Sequence, residues 1–151
     1  MNVLALDLGM KLGWALSKSG KITGGTVSLA SRPPARRSFR WLKYQTWLQE
    51  TWAGAGGLDA VYFEDVFRHS SRDSSNVYGG LWAYLEAFCG AKGIPMHPVA
   101  VPTIKKFWTG AGNAKKERMI ESAKERGFYP VDDNHADALA LLAYALDKKE
   151  Y

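Results

Sequence analysis

The chain has 151 residues, 46% hydrophobic and 23% charged, with a formal net charge of +5 and a pI near 9.3. Such a length and balance predict one globular domain, residues 1–151, with a real core, and a basic surface favours an anionic partner, nucleic acid first. No apolar run approaches the roughly 20 residues of a membrane-spanning helix, Asp7 interrupts any apolar leader, and the single cysteine, Cys89, can close no internal disulfide, so a cytoplasmic protein without membrane contact is expected.

Three short strands open the chain in this reading: Asn2 to Asp7, Gly13 to Ser17, and Lys21 to Ser28, separated by turns at Gly9 and at Ser19-Gly20. Their close spacing predicts an antiparallel meander. Ser31-Arg32-Pro33-Pro34 breaks the pattern. From Ala35 to Trp52 the period becomes helical, with Phe39, Leu42, Tyr44, Trp47 and Leu48 on one face and Arg36, Arg37, Arg40 and Lys43 largely off it. Gly54 to Gly57 ends that helix, and Leu58 to Glu64 reads as a buried strand. Val66 to Ser75 is a polar loop, and Asn76 to Gly90 a helix with Gly79, Gly80 and Ala83 on one flank. A short strand follows at Ile94 to Val99, then a helix at Val101 to Trp108 with Pro102 in its first turn, and a turn at Thr109 to Asn113. A charged helix spans Ala114 to Arg126, and the last helix runs from about Asn134 to Asp147. Strands first, then strands alternating with helices, predict an α/β fold with an antiparallel edge.

Acidic residues sit at telling places in this layout. Asp7 closes the run Val3-Leu4-Ala5-Leu6, and Glu64 closes Ala60-Val61-Tyr62-Phe63. Asp132, Asp133 and Asp137 lie where the last helix begins. A turn aspartate or a helix N-cap accounts for several of these singly. Asp137 fits a structural role least well. It starts an almost uncharged helix, where a carboxylate is either raised in pKa or held by a cation. It also lies one helical turn from Asp133 and Asn134, which share its face. Carboxylates gathered at one edge of a sheet suit hard cations.

The motifs resemble those of the RuvC-type Holliday-junction resolvases, within the RNase H-like nuclease superfamily, with a phage version in view. Leu4-Ala5-Leu6-Asp7-Leu8-Gly9 followed by Gly13-Trp14-Ala15 is similar to the family's first motif. Glu64-Asp65-Val66-Phe67 resembles its second. Ile104-Lys105-Lys106, then Thr109 to Lys116, resembles its basic segment, and Ala136-Asp137-Ala138-Leu139-Ala140 its closing helix. The resemblance covers most of the chain. It implies an RNase H-like mixed five-stranded sheet, a meander of strands 1–3 followed by parallel strands, flanked by helices.

The activity implied is structure-selective endonuclease cleavage of four-way DNA junctions by paired nicks, through two Mg²⁺ ions per site, with Mn²⁺ able to substitute and no nucleotide cofactor. By position, Asp7, Glu64 and Asp137 would be metal ligands. The family's remaining ligand falls three residues before the last aspartate, where this chain has Asn134. Either Asn134 supplies a neutral oxygen or Asp133 reaches in, and a carboxylate suits Mg²⁺ better. Lys105 and Lys116 match lysines near the scissile phosphate. Phe67 matches an aromatic that enters the junction centre, with loop packing as its other reading. Lys106, Lys115, Arg32, Arg36, Arg37, Arg40, Arg68 and Arg72 would extend the DNA-contacting surface. The Asn76–Gly90 helix aligns with the family's dimer helix, which implies a homodimer with two-fold related sites. Related readings of the same motifs are a nuclease of this fold acting on other branched DNA or on RNA, and an inactive junction-binding protein. An actin-like ATPase shares the Asp-x-Gly start but needs a second phosphate loop and a longer chain.

Overall fold

The computed structural model describes residues 1–30 and 37–149. The element order is β1 (Val3–Asp7), β2 (Lys11–Lys18), β3 (Lys21–Ser28), α1 (Ser38–Ala55), β4 (Ala60–Asp65), α2 (Arg72–Lys92), β5 (Met96–Ala100), α3 (Val101–Thr109), α4 (Lys116–Glu125) and α5 (Asp133–Lys148). The five strands form one sheet in the order β3-β2-β1-β4-β5. β1–β2 and β2–β3 pair antiparallel, while β1–β4 and β4–β5 pair parallel. The expected mixed sheet, meander first, is therefore observed.

Side chains alternate across the sheet, so each strand feeds two cores. Val3, Ala5, Ala60 and Tyr62 face α3, α4 and α5. Leu4, Leu6, Val61 and Phe63 face α1 and α2. A near-continuous apolar run on β1 and β4 is what a central strand covered on both faces requires. α5 lies across β1 and β2, and its buried Ala136, Ala138, Ala140 and Ala145 let it approach closely. No helix among the described residues is long and apolar enough to cross a membrane.

Several boundaries and faces differ from expectation. α2 starts at Arg72, four residues before the expected start, because Ser71 caps it by accepting from the Ser74 N–H at 3.1 Å. The segment read as loop to Ser75 is thus partly helical. On α1 the buried residues are Tyr44, Leu48 and Ala55, whereas Phe39 and Leu42 are 46% and 52% exposed. The reason is angular: Leu42 stands two residues from Tyr44, about 200° around the helix. Trp41 and Trp52, not included in the expected face, pack against the core instead. α1 also runs through Gly54 and stops at Gly56, whose φ of 77° is left-handed. On α2, Gly80 serves the monomer: a Cβ there would lie 2.6 Å from the Trp41 ring. Gly79 faces open space. The expected breaker Ser31–Pro34, the helix start at Ala35, and Arg32 and Arg36 lie outside the described residues.

Candidate active site: carboxylates gathered at the end of the sheet

The parallel pairing of β1 with β4 places Leu6 beside Phe63, so Asp7 and Glu64, one residue further along, end their strands side by side. Both project to the α5 face because they continue the series Val3-Ala5 and Ala60-Tyr62. Glu64 is buried and Asp7 half-buried. Their carboxyls lie within interaction range of each other. Burial, and then the charges of Asp137 and Asp133, push Asp7 up to about 8. Burial, and then the charges of Asp7 and Asp137, hold Glu64 well above the usual carboxylate range. Asp137 completes the cluster from the first turns of α5. Burial raises it to about 6, and the nearby charge of Lys105 opposes the rise. Carboxylates converging from three elements, with Asp7, Glu64 and Asp137 all raised in pKa, are a costly arrangement unless protons or cations occupy it.

Two of the expected lysines stand against this cluster. Lys105, on α3, acts electrostatically on both Glu64 and Asp137. Lys116, the first residue of α4, pairs with Asp133 at 2.9 Å. Asp133 therefore presents a carboxylate at the cluster, held by an exposed lysine. The Asn134 side chain instead hydrogen-bonds Asp132. Asp132 is the N-cap of α5, accepting from the His135 N–H at 2.9 Å and from Thr26 Oγ1 at 2.6 Å. Burial pushes Asp132 up, but the bonds from Thr26, His135 and Asn134 outweigh it and leave its pKa lowered. His135 turns away from the carboxylates as expected: its Nδ1 accepts from the Val131 N–H at 3.1 Å, and its ring lies over Gly24.

The remaining sequence-predicted residues are more dispersed. Phe67 is 77% exposed on the chain between β4 and α2. Arg68 and Arg72 are exposed on the same stretch. Lys106 and Lys115 are exposed, on α3 and just before α4. Arg37 and Arg40 stand at the start of α1, around the far side of the sheet end.

Thr26, Gly13 and Gly24 were not assigned to the site by sequence reasoning. Thr26 anchors the α5 cap, and the two glycines give the α5 N-terminus its clearance above the sheet. The signal for one of them was the Gly24-Gly25 pair inside a strand, since an interior strand glycine marks close approach of another backbone or group.

The donor set is suited to a hard divalent cation: carboxylate oxygens only, with the histidine excluded. Among the described residues, no three histidine, cysteine or acidic side chains already stand at metal-ligand spacing. Lys116 holds Asp133.

A mixed sheet of this order, with clustered carboxylates at the ends of its two central strands and on the closing helix, has the architecture of the RNase H-like nucleases. Comparison narrows this to the RuvC-like fold. The Thermus thermophilus RuvC structure superposes with a TM-score of 0.76 at 21% identity, covering 99% of this chain and 97% of that one. T. thermophilus RuvC in complex with a Holliday junction substrate gives 0.75 at 22% identity, covering 93% and 90%. The yeast mitochondrial Holliday junction resolvase gives 0.64 at 12% identity, covering 92% and 75%. In sequence, the crossover junction endodeoxyribonuclease RuvC of Anaeromyxobacter sp. (strain Fw109-5) is 32% identical over 128 residues, 84% of this chain. The chain spans 60% of that relative's length. No family model matches. The chain is thus RuvC-like in sequence and in fold.

Proposed function

We propose that the protein is a divalent-metal-dependent endonuclease that resolves four-way DNA junctions. The observation that carries this is the meeting of Asp7, Glu64 and Asp137 from β1, β4 and α5, each raised in pKa by burial, with the Asp137 charge adding to the rise on Asp7 and Glu64. Similarity to RuvC proteins supports the substrate class.

Asp7, Glu64 and Asp137, with Asp133 as the further carboxylate, would hold two Mg²⁺ ions. Bound cations supply an activated water for in-line attack on the phosphodiester and neutralise the leaving oxygen. The chain's own residues do the rest. Asp7 and Glu64, both raised in pKa, would release protons on holding a cation. Lys116 exchanges Asp133 for DNA phosphate, and Lys105 adds fixed positive charge beside the reacting group. The basic surface formed by Arg37, Arg40, Arg68, Arg72, Lys106 and Lys115 orients the duplex arms through their phosphates. A two-fold dimer through α2 would present two such sites to the symmetric strands of a junction. Half of α2 supports this: Trp82 is 44% exposed, and Gly79 faces open space.

The test is cleavage of a labelled synthetic four-way junction with Mg²⁺, Mn²⁺ or chelator, beside flap and RNA–DNA substrates. Symmetric paired nicks that require the metal are expected. Equal cleavage of all substrates would reassign the protein as a less selective nuclease, and binding without cleavage in either metal would make it a junction-binding protein. Sedimentation of the free protein and its complex tests the dimer, and a monomer in both would exclude it.

A further inference from the structure

The exposed ring of Phe67 has no packing of its own to fix where it stands. Arg68 beside it is exposed as well, while Val66 and His69, on either side of the pair, are half-buried. Among the described residues, the backbone from Val66 to His69 makes a single hydrogen bond, given by the Val66 N–H at 3.3 Å. Its acceptor is the hydroxyl of Tyr78, on α2. The same hydroxyl donates to the Glu64 carbonyl at 2.8 Å. The Tyr78 ring lies at a tilt against His69, with centroids 4.9 Å apart. One side chain thus holds the chain just before Phe67 and again two residues after it.

The reason lies in the sheet. Alternate residues of a strand turn their N–H and C=O to opposite neighbours. Val61 donates to Pro95 on the β5 side, so Glu64 and Val66 turn towards β1. The pairing of β1 with β4 stops at Leu6 and Phe63, whereas that of β4 with β5 continues to Asp65 and Ala100. The Glu64 carbonyl and the Val66 N–H are therefore the first groups of β4 and its extension to lack a partner strand.

In a parallel ladder one residue of the neighbouring strand would serve both groups, giving its N–H to the first and its C=O to the second. The phenolic oxygen of Tyr78 does both, because a hydroxyl donates once and still accepts. A phenylalanine at this position would fill the same space and meet the same histidine, but could bridge neither group.

We propose that Tyr78 is a positioning residue for junction resolution. Its hydroxyl continues the β4 ladder by one rung and its ring braces His69, so that Phe67 projects from a loop of fixed course. This rests on the junction-centre role of Phe67 and adds the residue that presents the ring there. Tyr78 itself touches neither DNA nor metal in this role.

Two measurements test the proposal, and the first needs no DNA. Amide hydrogen exchange is followed by NMR on wild type and Tyr78→Phe. Exchange at Val66 is expected to speed up about fivefold, the equivalent of one net hydrogen bond, with β1 and α5 protected as before. Unchanged exchange at Val66 overturns the clamp. So does a speeding spread evenly over the chain, which is the mark of general destabilisation.

The second is a double-mutant cycle of wild type, Tyr78→Phe, Phe67→Ala and the double variant, cutting a four-way junction and a flexible simpler substrate. Tyr78→Phe is expected to slow junction resolution about tenfold, within the loss expected for the stacking contact itself. It should slow nicking of the simpler substrate far less, and should cost nothing more on the junction once Phe67 is alanine. Losses that multiply overturn the proposal, because Tyr78 then does not act through Phe67. Equal slowing of both substrates also overturns it, since that places the effect at the Glu64 carboxylate. A Phe67→Ala protein that resolves junctions at the wild-type rate removes the junction-centre role instead, and a wild type that cuts nothing removes the nuclease reading. In either case faster exchange at Val66 upholds the clamp, and unchanged exchange removes it too.

Discussion

Gly13 and Asn134 touch backbone to backbone: a Cβ on Gly13 would coincide with the Asn134 carbonyl. Gly13 is opposite Asp7 in the β1–β2 ladder, and Asn134 is the second residue of α5. The contact therefore sets the height of the α5 N-terminus above the strand that carries Asp7, and with it the distance from Asp137 to Asp7. Gly24 does the same from β3, where a Cβ would stand 2.5 Å from His135 Nε2.

Gly13→Ala is expected to lift α5 and to lower both stability and cleavage. Overpacking of this kind costs about 1–3 kcal/mol, and the obstacle here is backbone, which cannot rotate aside. Gly25→Ala is the control, because its Cβ would meet only the Trp14 side chain at 3.4 Å. Denaturant unfolding and junction cleavage on both proteins check this. Equal behaviour of the two variants would refute a special role for the Gly13 contact.

The raised Asp7 pKa has a definite sign in pH. An unfolded aspartate releases its proton near 3.8, whereas in the folded chain Asp7 keeps it to about 8. Between those values the folded state binds more protons than the unfolded one, so stability falls as pH rises, by at most about 1.4 kcal/mol per pH unit for one proton. The contribution is full below 3.8 and lost above about 8. Asp7→Asn should therefore flatten the decline between pH 5 and 8 in chelator. Mg²⁺ held by the proposed ligands would compete with the proton, so its stabilisation of wild type should be larger at pH 8 than at pH 5. Thermal unfolding across that range measures both, and a Mg²⁺ effect independent of pH would remove these carboxylates from the metal site.

Asp7→Asn, Glu64→Gln and Asp137→Asn are each expected to abolish cleavage while leaving junction binding largely intact, since the basic surface is unchanged. Asp133→Asn should lose activity severely and Asn134→Ala should not, because Asp133 presents its carboxylate at the cluster while the Asn134 side chain bonds Asp132. Binding shifts and single-turnover cleavage on the five proteins decide it. The reverse ranking of Asp133 and Asn134 would move the remaining ligand to Asn134.

Phe67 is 77% exposed, so its sequence-level alternative, loop packing, has little support in the fold. Phe67→Ala is expected to leave the melting temperature unchanged. It should slow junction resolution about tenfold to a hundredfold, the effect of losing about 1–3 kcal/mol of base stacking, and slow nicking of a flexible simpler substrate far less. Phe67→Tyr should retain most activity. Equal slowing on both substrates would exclude the junction-centre role.

The sequence by itself determined the strand order's raw material and the chemistry at its ends. Apolar runs ending in Asp7 and Glu64 are legible because strands covered on both faces tolerate no charge until they emerge. The α5 cluster is legible because an acid on an apolar helix is conspicuous. Tertiary structure alone decided how those carboxylates are apportioned. Asp132 became a cap because Thr26, over a hundred residues earlier, donates to it across the sheet. Asp133 met Lys116 because α4 docks beside α5. Gly13 and Gly24 acquired their importance only when a helix settled on them. Local pattern reports which face a residue occupies within its own element. It cannot report which distant element arrives at that face, and at this sheet end the arrivals separate structural acids from those available to a cation.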